Sequence, residues 1–148
     1  MKRNYILFGL VLSLLVGINS CKKDVDDLED LPTDEVEGDV RDRFLGKWTV
    51  KETSTILGVR NFDVNIVKDD QYPAQVNISN FYNIGGNDTI IANVSSVLVS
   101  TITVPDQVVS ASQYGGKGEM ENDQTINFTY QVDDGTDSID VVTAVFIR

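Results

Sequence analysis

Thr125-Ile126-Asn127-Phe128-Thr129-Tyr130-Gln131-Val132 alternates polar and apolar residues without a break. A period of two sends Ile126, Phe128, Tyr130 and Val132 to one face and the polar residues to the other, which is the pattern of a strand with one buried face. The same alternation, with abundant β-branched residues, recurs on both sides of it. No apolar stripe of 3.6-residue period reaches helical length from Phe44 onward. Strands are predicted near 47–53, 62–68, 75–82, 89–94, 97–104, 107–112, 116–121, 125–132 and 138–147.

The breaks between these segments carry turn chemistry. Leu57-Gly58, Gly85-Gly86-Asn87, Gly115-Gly116 and Asp134-Gly135 offer the positive backbone angles of hairpin turns, and Pro105-Asp106 marks another corner. Short connections let consecutive strands pair as antiparallel neighbours. The expectation is an all-β fold, an antiparallel meander of about eight or nine strands closing into a small barrel. Closure removes both sheet edges, which suits a chain rich in Val, Ile and Thr with few lysines to guard an open edge. A β-sandwich is the alternative.

Composition narrows the function classes. The 148 residues carry 12 Lys and Arg against 23 Asp and Glu, a net charge of −11, with no histidine and one cysteine. That balance disfavours a nucleic-acid partner. The usual general base is missing, an internal disulfide is excluded, and so is a Cys/His zinc site. For catalysis only carboxylate pairs are left, with Glu52, Asp63, Glu119 and Glu121 as members, and a non-enzyme is expected. Asp133, Asp134, Asp137 and Asp140 crowd one connection and form a candidate calcium loop without EF-hand spacing, although Asp-Gly there already reads as a hairpin turn. No cofactor is expected, and the metal-free reading is preferred to calcium.

The N-terminus reads as an address. A short basic start, Met1-Lys2-Arg3-Asn4-Tyr5, precedes an apolar run from Ile6 to Ile18, too short to span a bilayer and of signal-peptide length. It ends in Ile18-Asn19-Ser20-Cys21, which resembles the bacterial lipobox. The resemblance implies that residues 1–20 are removed and that Cys21, the only cysteine, carries a diacylglycerol-based anchor. Two or three acyl chains at ~0.8 kcal/mol per buried methylene hold a protein to a membrane durably. Residues 21–42 are then a disordered acidic tether; nine acids and two lysines fall within 22–40. Lys22-Lys23-Asp24-Val25-Asp26-Asp27 resembles a lipoprotein export signal of some Gram-negative bacteria. This implies an outer-membrane location, with cell-surface and periplasm-facing orientations both open.

Residues 43–148 make up the barrel domain. Within it, Gly46-Lys47-Trp48 is similar to the Gly-x-Trp start of lipocalin-like barrels. In that family the tryptophan plugs the closed end and an arginine near the end of the last strand packs across its ring, a role that falls to Arg148. The resemblance thus points to a small bacterial outer-membrane lipoprotein with a lipocalin-like barrel, a monomer whose membrane partner is reached through its lipid. Two roles stay open. One is binding of a small apolar ligand in a lumen lined by Trp48, Phe128 and Tyr130. The other is an accessory module with a solid core that meets a protein or glycan through its loops.

Overall fold

In a computed structural model, residues 38–148 are described. The signal peptide, Cys21 and all of the tether before residue 38 lie outside the described residues. Eight strands run β1 (Gly46–Ser54), β2 (Gly58–Lys68), β3 (Gln75–Ser79), β4 (Thr89–Val94), β5 (Thr101–Val109), β6 (Ser112–Asn122), β7 (Thr125–Asp133) and β8 (Asp140–Ile147). Each pairs antiparallel with the next, and β8 returns to β1 from Thr49↔Ile147 to Ser54↔Val142, closing the barrel. The sandwich alternative is thereby excluded.

Alternation decides what faces the axis. Trp48, Val50 and Glu52 on β1, Ile126, Phe128, Tyr130 and Val132 on β7, and Val142, Ala144 and Phe146 on β8 are all buried. Wide aromatic side chains fit into so narrow a barrel because β6 offers glycine opposite them. Gly116 pairs with Tyr130 and Gly118 with Phe128. A Cβ on Gly116 would stand 2.3 Å from Tyr130 Cβ, and one on Gly118 would stand 2.6 Å from the Phe128 ring. Phe128 folds its ring over the bare backbone of Gly118, while at Gly116 the β7 backbone and Tyr130 Cβ come close, a device that lets a sheet curve into closure. Gly115-Gly116 is therefore not the expected turn: neither residue has a positive φ, and both lie inside β6.

The count falls from nine to eight because the predicted strands 97–104 and 107–112 are one. Pro105 has no N–H to donate, and in a closed sheet without edges it must sit at a bulge. The register with β6 jumps there, between Val104 and Gln107. The chain reverses instead at Ser110 and Ala111, with φ of 49° and 67°. Val97 and Leu98, apolar and β-prone in sequence, are exposed in a turn whose amides are taken by Ser95 Oγ. The predicted strand 75–82 stops at Ser79, and Phe81–Asn83 forms a 3₁₀ turn across the interior.

The folded body also begins before residue 43. Asp39 caps a 3₁₀ turn, Val40–Arg43, and Arg41 is buried. Its guanidinium binds Asp39 and gives Nη1 to the carbonyls of Asp69, Tyr72 and Gln75 at 3.0, 3.2 and 3.2 Å. An arginine in an acidic run reads as solvated charge, whereas here it closes three backbone acceptors of the β2–β3 connection.

Candidate functional site

The barrel has two unlike ends. At the end where β1 starts and β8 finishes, Phe44 and Trp48 fill the interior, and Trp48 Nε1 donates to the Phe44 carbonyl at 2.8 Å. Arg148 lies across the indole with Cζ 4.3 Å from the ring centre. Its nitrogens donate to the carbonyls of Asp123, Leu45 and Arg43 at 2.7, 2.9 and 2.9 Å. The structure thus brings Trp48 and Arg148 together as a seal.

Above that plug the core is solid. Phe81 meets Tyr130 at 4.5 Å between ring centres, and Phe128 meets Phe146 at 4.6 Å. Trp48, Phe128 and Tyr130 are 1, 2 and 2% exposed. Of the two interiors that the sequence left open, a lumen lined by these residues and a solid core, the packing around them is the solid one. The reason is the 3₁₀ turn: Phe81 enters the space that their inward faces would otherwise leave open.

Near the opposite mouth the filling turns polar. Glu52 is fully buried, and its Oε1 accepts from Arg60 Nε at 2.9 Å and from Nη2, while Oε2 accepts from the Tyr130 hydroxyl. The β1–β2 hairpin sets this pair, since Glu52 is opposite Arg60 in register. Arg60 also stacks on Tyr82, with Cζ 4.3 Å from the ring centre. Tyr82 in turn donates to Asp140 Oδ2 at 2.7 Å. Asp140 further accepts from Ser54 Oγ at 2.5 Å, from Thr55 N and Oγ1 at 2.9 Å each, and from Ile56 N at 3.2 Å.

These contacts set the protonation states. Burial pushes the Tyr130 phenol far above its ordinary value, and donation to the Glu52 carboxylate adds to it. Tyr82 is raised for the same two reasons, burial first and Asp140 second. For Asp140 burial works upward, but the hydrogen bonds from Ser54, Tyr82, Thr55 and Ile56 outweigh it, and the carboxyl titrates below the ordinary carboxylate range. Two neutral phenols thus donate to two carboxylates.

Above this layer opens a cup of about 380 Å³. Ile56, Leu57, Ile84 and Val132 supply apolar wall, and Arg60, Tyr82, Tyr114, Ser112, Asp134 and Asp140 supply polar groups. Tyr82 and Tyr114 meet edge to face at 6.2 Å. Three non-glycine residues beside the cup, Asn80, Tyr82 and Asn83, have left-handed backbones with φ of 60°, 56° and 60°. A tyrosine there is strained, and persists because its ring and hydroxyl are pinned by Arg60 and Asp140.

The overall arrangement is that of a small closed β-barrel. No protein-family model matches the chain, and a search of curated proteins finds no match. Among solved structures it is similar to a redesigned beta barrel, b11L5F_LGL, with a TM-score of 0.55 and 12% identity over 76% of this chain and 96% of that one. It is also similar to EF1p2_mFAP2b bound to DFHBI, with a TM-score of 0.50 and 13% identity over 74% of this chain and 97% of that one. At such identity the likeness is one of fold.

The calcium candidate is not assembled. Asp133 Oδ1 accepts from Gly135 N, Asp134 Oδ1 from Thr136 N and Oγ1, and Asp140 is turned inward. Among the described residues no three carboxylates, histidines or cysteines gather into a metal-binding set. Asp63, Glu119 and Glu121 are taken singly by Thr49, Lys117 and Asn127. Arg60 and Tyr82 escaped the sequence reading. A signal for the first was present: Glu52 breaks the apolar inward series Trp48, Val50, and with a turn at Gly58 its mirror position across the hairpin is residue 60.

Proposed function

We propose that this chain is a non-enzymatic binding protein, held at the bacterial outer membrane by a lipid on Cys21, whose ligand site is the cup at the open mouth. The observation that carries the reading is the cup itself, a concave space of about 380 Å³ in which apolar wall and a few convergent polar groups meet over a rigid floor. Glu52 and Asp140 are engaged by structural donors, which leaves neither free to act as a general base and supports a role without catalysis. The Trp48–Arg148 stack supports the lipocalin-like reading. EF1p2_mFAP2b, one of the two barrels compared above, is a barrel with a bound small molecule. A ligand here would lie over the polar layer, with its apolar part against Ile56, Leu57 and Ile84.

Titration of the full chain with the neutral dye N-phenyl-1-naphthylamine tests the site. Saturable fluorescence that Ser112→Trp abolishes, with the far-ultraviolet spectrum unchanged, is the expected result. Equal binding by wild type and that variant removes the cup from consideration. The anchor is tested separately: labelled palmitate should enter the wild-type protein and not Cys21→Ser, and protease treatment of intact cells should report the orientation.

A further inference from the structure

The charges around the cup do not balance. Arg60 is the sole cation among its lining residues. That charge is already matched by the buried Glu52 beneath it, through two guanidinium nitrogens on one carboxylate oxygen. Asp140 and Asp134 also line the cup and have no cationic partner: every donor to Asp140 is a hydroxyl or a backbone amide, and Asp134 is held by Thr136 alone. Asp88 adds a further negative charge at the rim, where its Oδ2 accepts from Ser110, another lining residue. Hydroxyls and amides stabilise a carboxylate locally but leave its field uncancelled, and low-dielectric walls focus such a field into a cleft.

The aromatic lining has the same preference. Tyr82 and Tyr114 line the cup, Tyr82 with Arg60 already stacked on its ring, and an aromatic face attracts a cation. The Tyr114 hydroxyl is beside that of Ser112, another lining residue. An anionic guest would find Arg60 engaged and two carboxylates facing it.

Given the cup as the binding site, we propose that it takes an organic monocation with an apolar body, an aryl or alkyl ammonium, in preference to an anion or a neutral molecule of the same shape. The apolar body lies against Ile56, Leu57 and Ile84, and the ammonium group faces Asp134 and Asp140. Discrimination comes from the field as well as from shape, so it weakens as salt screens the exposed Asp134.

Three water-soluble probes of similar size separate the charge classes: benzyltrimethylammonium, benzyl alcohol and benzenesulfonate. They are titrated into the full chain carrying fluorine-labelled tyrosine, and the Tyr82 and Tyr114 resonances are followed. The cation is expected to bind about tenfold more tightly than the sulfonate, and Asp134→Asn to reduce that ratio about threefold, while Glu119→Gln on the outer wall leaves it unchanged. Sulfonate or alcohol binding as tightly as the ammonium overturns the charge preference and leaves the cup standing as a site. A ratio unaltered by Asp134→Asn overturns the electrostatic account. If none of the three probes moves either resonance at millimolar concentration, the cup itself is not a binding site and the proposal fails with it.

Discussion

The two ends of the barrel are built from the same alternating strands and filled by opposite chemistry. Around Trp48 the interior is apolar, and its one polar atom, Nε1, is matched by a carbonyl from the neighbouring turn. Arg148 covers the ring from outside, where its charge stays wet. Around Glu52 the interior holds a carboxylate, a guanidinium and a phenol in mutual contact, roofed by a second phenol–carboxylate pair. The comparison separates two jobs. Burying aromatic surface stabilises the fold, whereas burying an ion pair gives little net stability but fixes geometry when every partner is satisfied. Among the described residues no buried side-chain polar atom is left without a partner, so the polar end is ordered at the cost of desolvation. The cup sits on that end.

Substitution at each end sharpens this contrast. Trp48→Ala should be the most damaging single change, losing about 4 kcal/mol through transfer and cavity terms together, read as the shift in a denaturant midpoint. Glu52→Ala should cost about 3 kcal/mol by stranding Arg60 and the Tyr130 hydroxyl. The combination Glu52→Leu, Arg60→Leu and Tyr130→Phe should recover most of that loss, since it removes every partner at once. If the triple variant remains as unstable as Glu52→Ala, the polar layer is a stability element and the contrast between the ends breaks down.

Gly116→Ala should cost about 2 kcal/mol by pushing β7 off β6, and Tyr130→Ala in that background should relieve none of it, because the atoms met are Tyr130 Cβ and Cα and the Thr129 carbonyl. Asp140→Asn should cost less, about 1 kcal/mol at neutral pH, and its effect should depend on acidity. Because the folded-state value lies below the ordinary 3.8, the ionised carboxylate contributes stability above that value and loses it as pH falls through the folded value. The gap between wild type and variant should therefore narrow below about pH 4. At the alkaline end the sign reverses. Tyr82 and Tyr130 titrate above the ordinary 10.0, so the stability tied to their bound protons is intact below 10.0 and declines as pH rises toward the folded values. Tyr82→Phe should blunt that decline in a melting series. Arg148→Ala should be the mildest change, about 1 kcal/mol, since its guanidinium is exposed and only the stack and three carbonyl contacts are lost.

How far the sequence could be read depended on the range of each interaction. The inward face of β7 is local, a period of two over eight residues, and it was legible. So was the Gly58 turn, which needs one glycine at φ 74°. Gly115-Gly116 was misread because two interactions favour glycine and the local sequence does not tell them apart. A turn needs its positive φ, and a close approach of the neighbouring strand needs its missing Cβ; only the position of β7 at Thr129 and Tyr130 discriminates between them. Pro105 was misread for a related reason: a missing N–H marks a corner or a bulge equally well, and the register against β6 decides.

The alternating strands, their antiparallel succession and the acidic balance were determined by the sequence itself, since none of them needs a contact between residues distant along the chain. Which residues fill the barrel and which leave a cup was decided only in three dimensions. Phe81 closes the space over Phe128 and Tyr130 from a turn some fifty residues away, and Arg60 and Asp140 are joined only because β2 and β8 flank β1 and the same turn carries Tyr82 to both. Volume and charge inside a closed sheet are sums over all eight strands, and no single strand carries them.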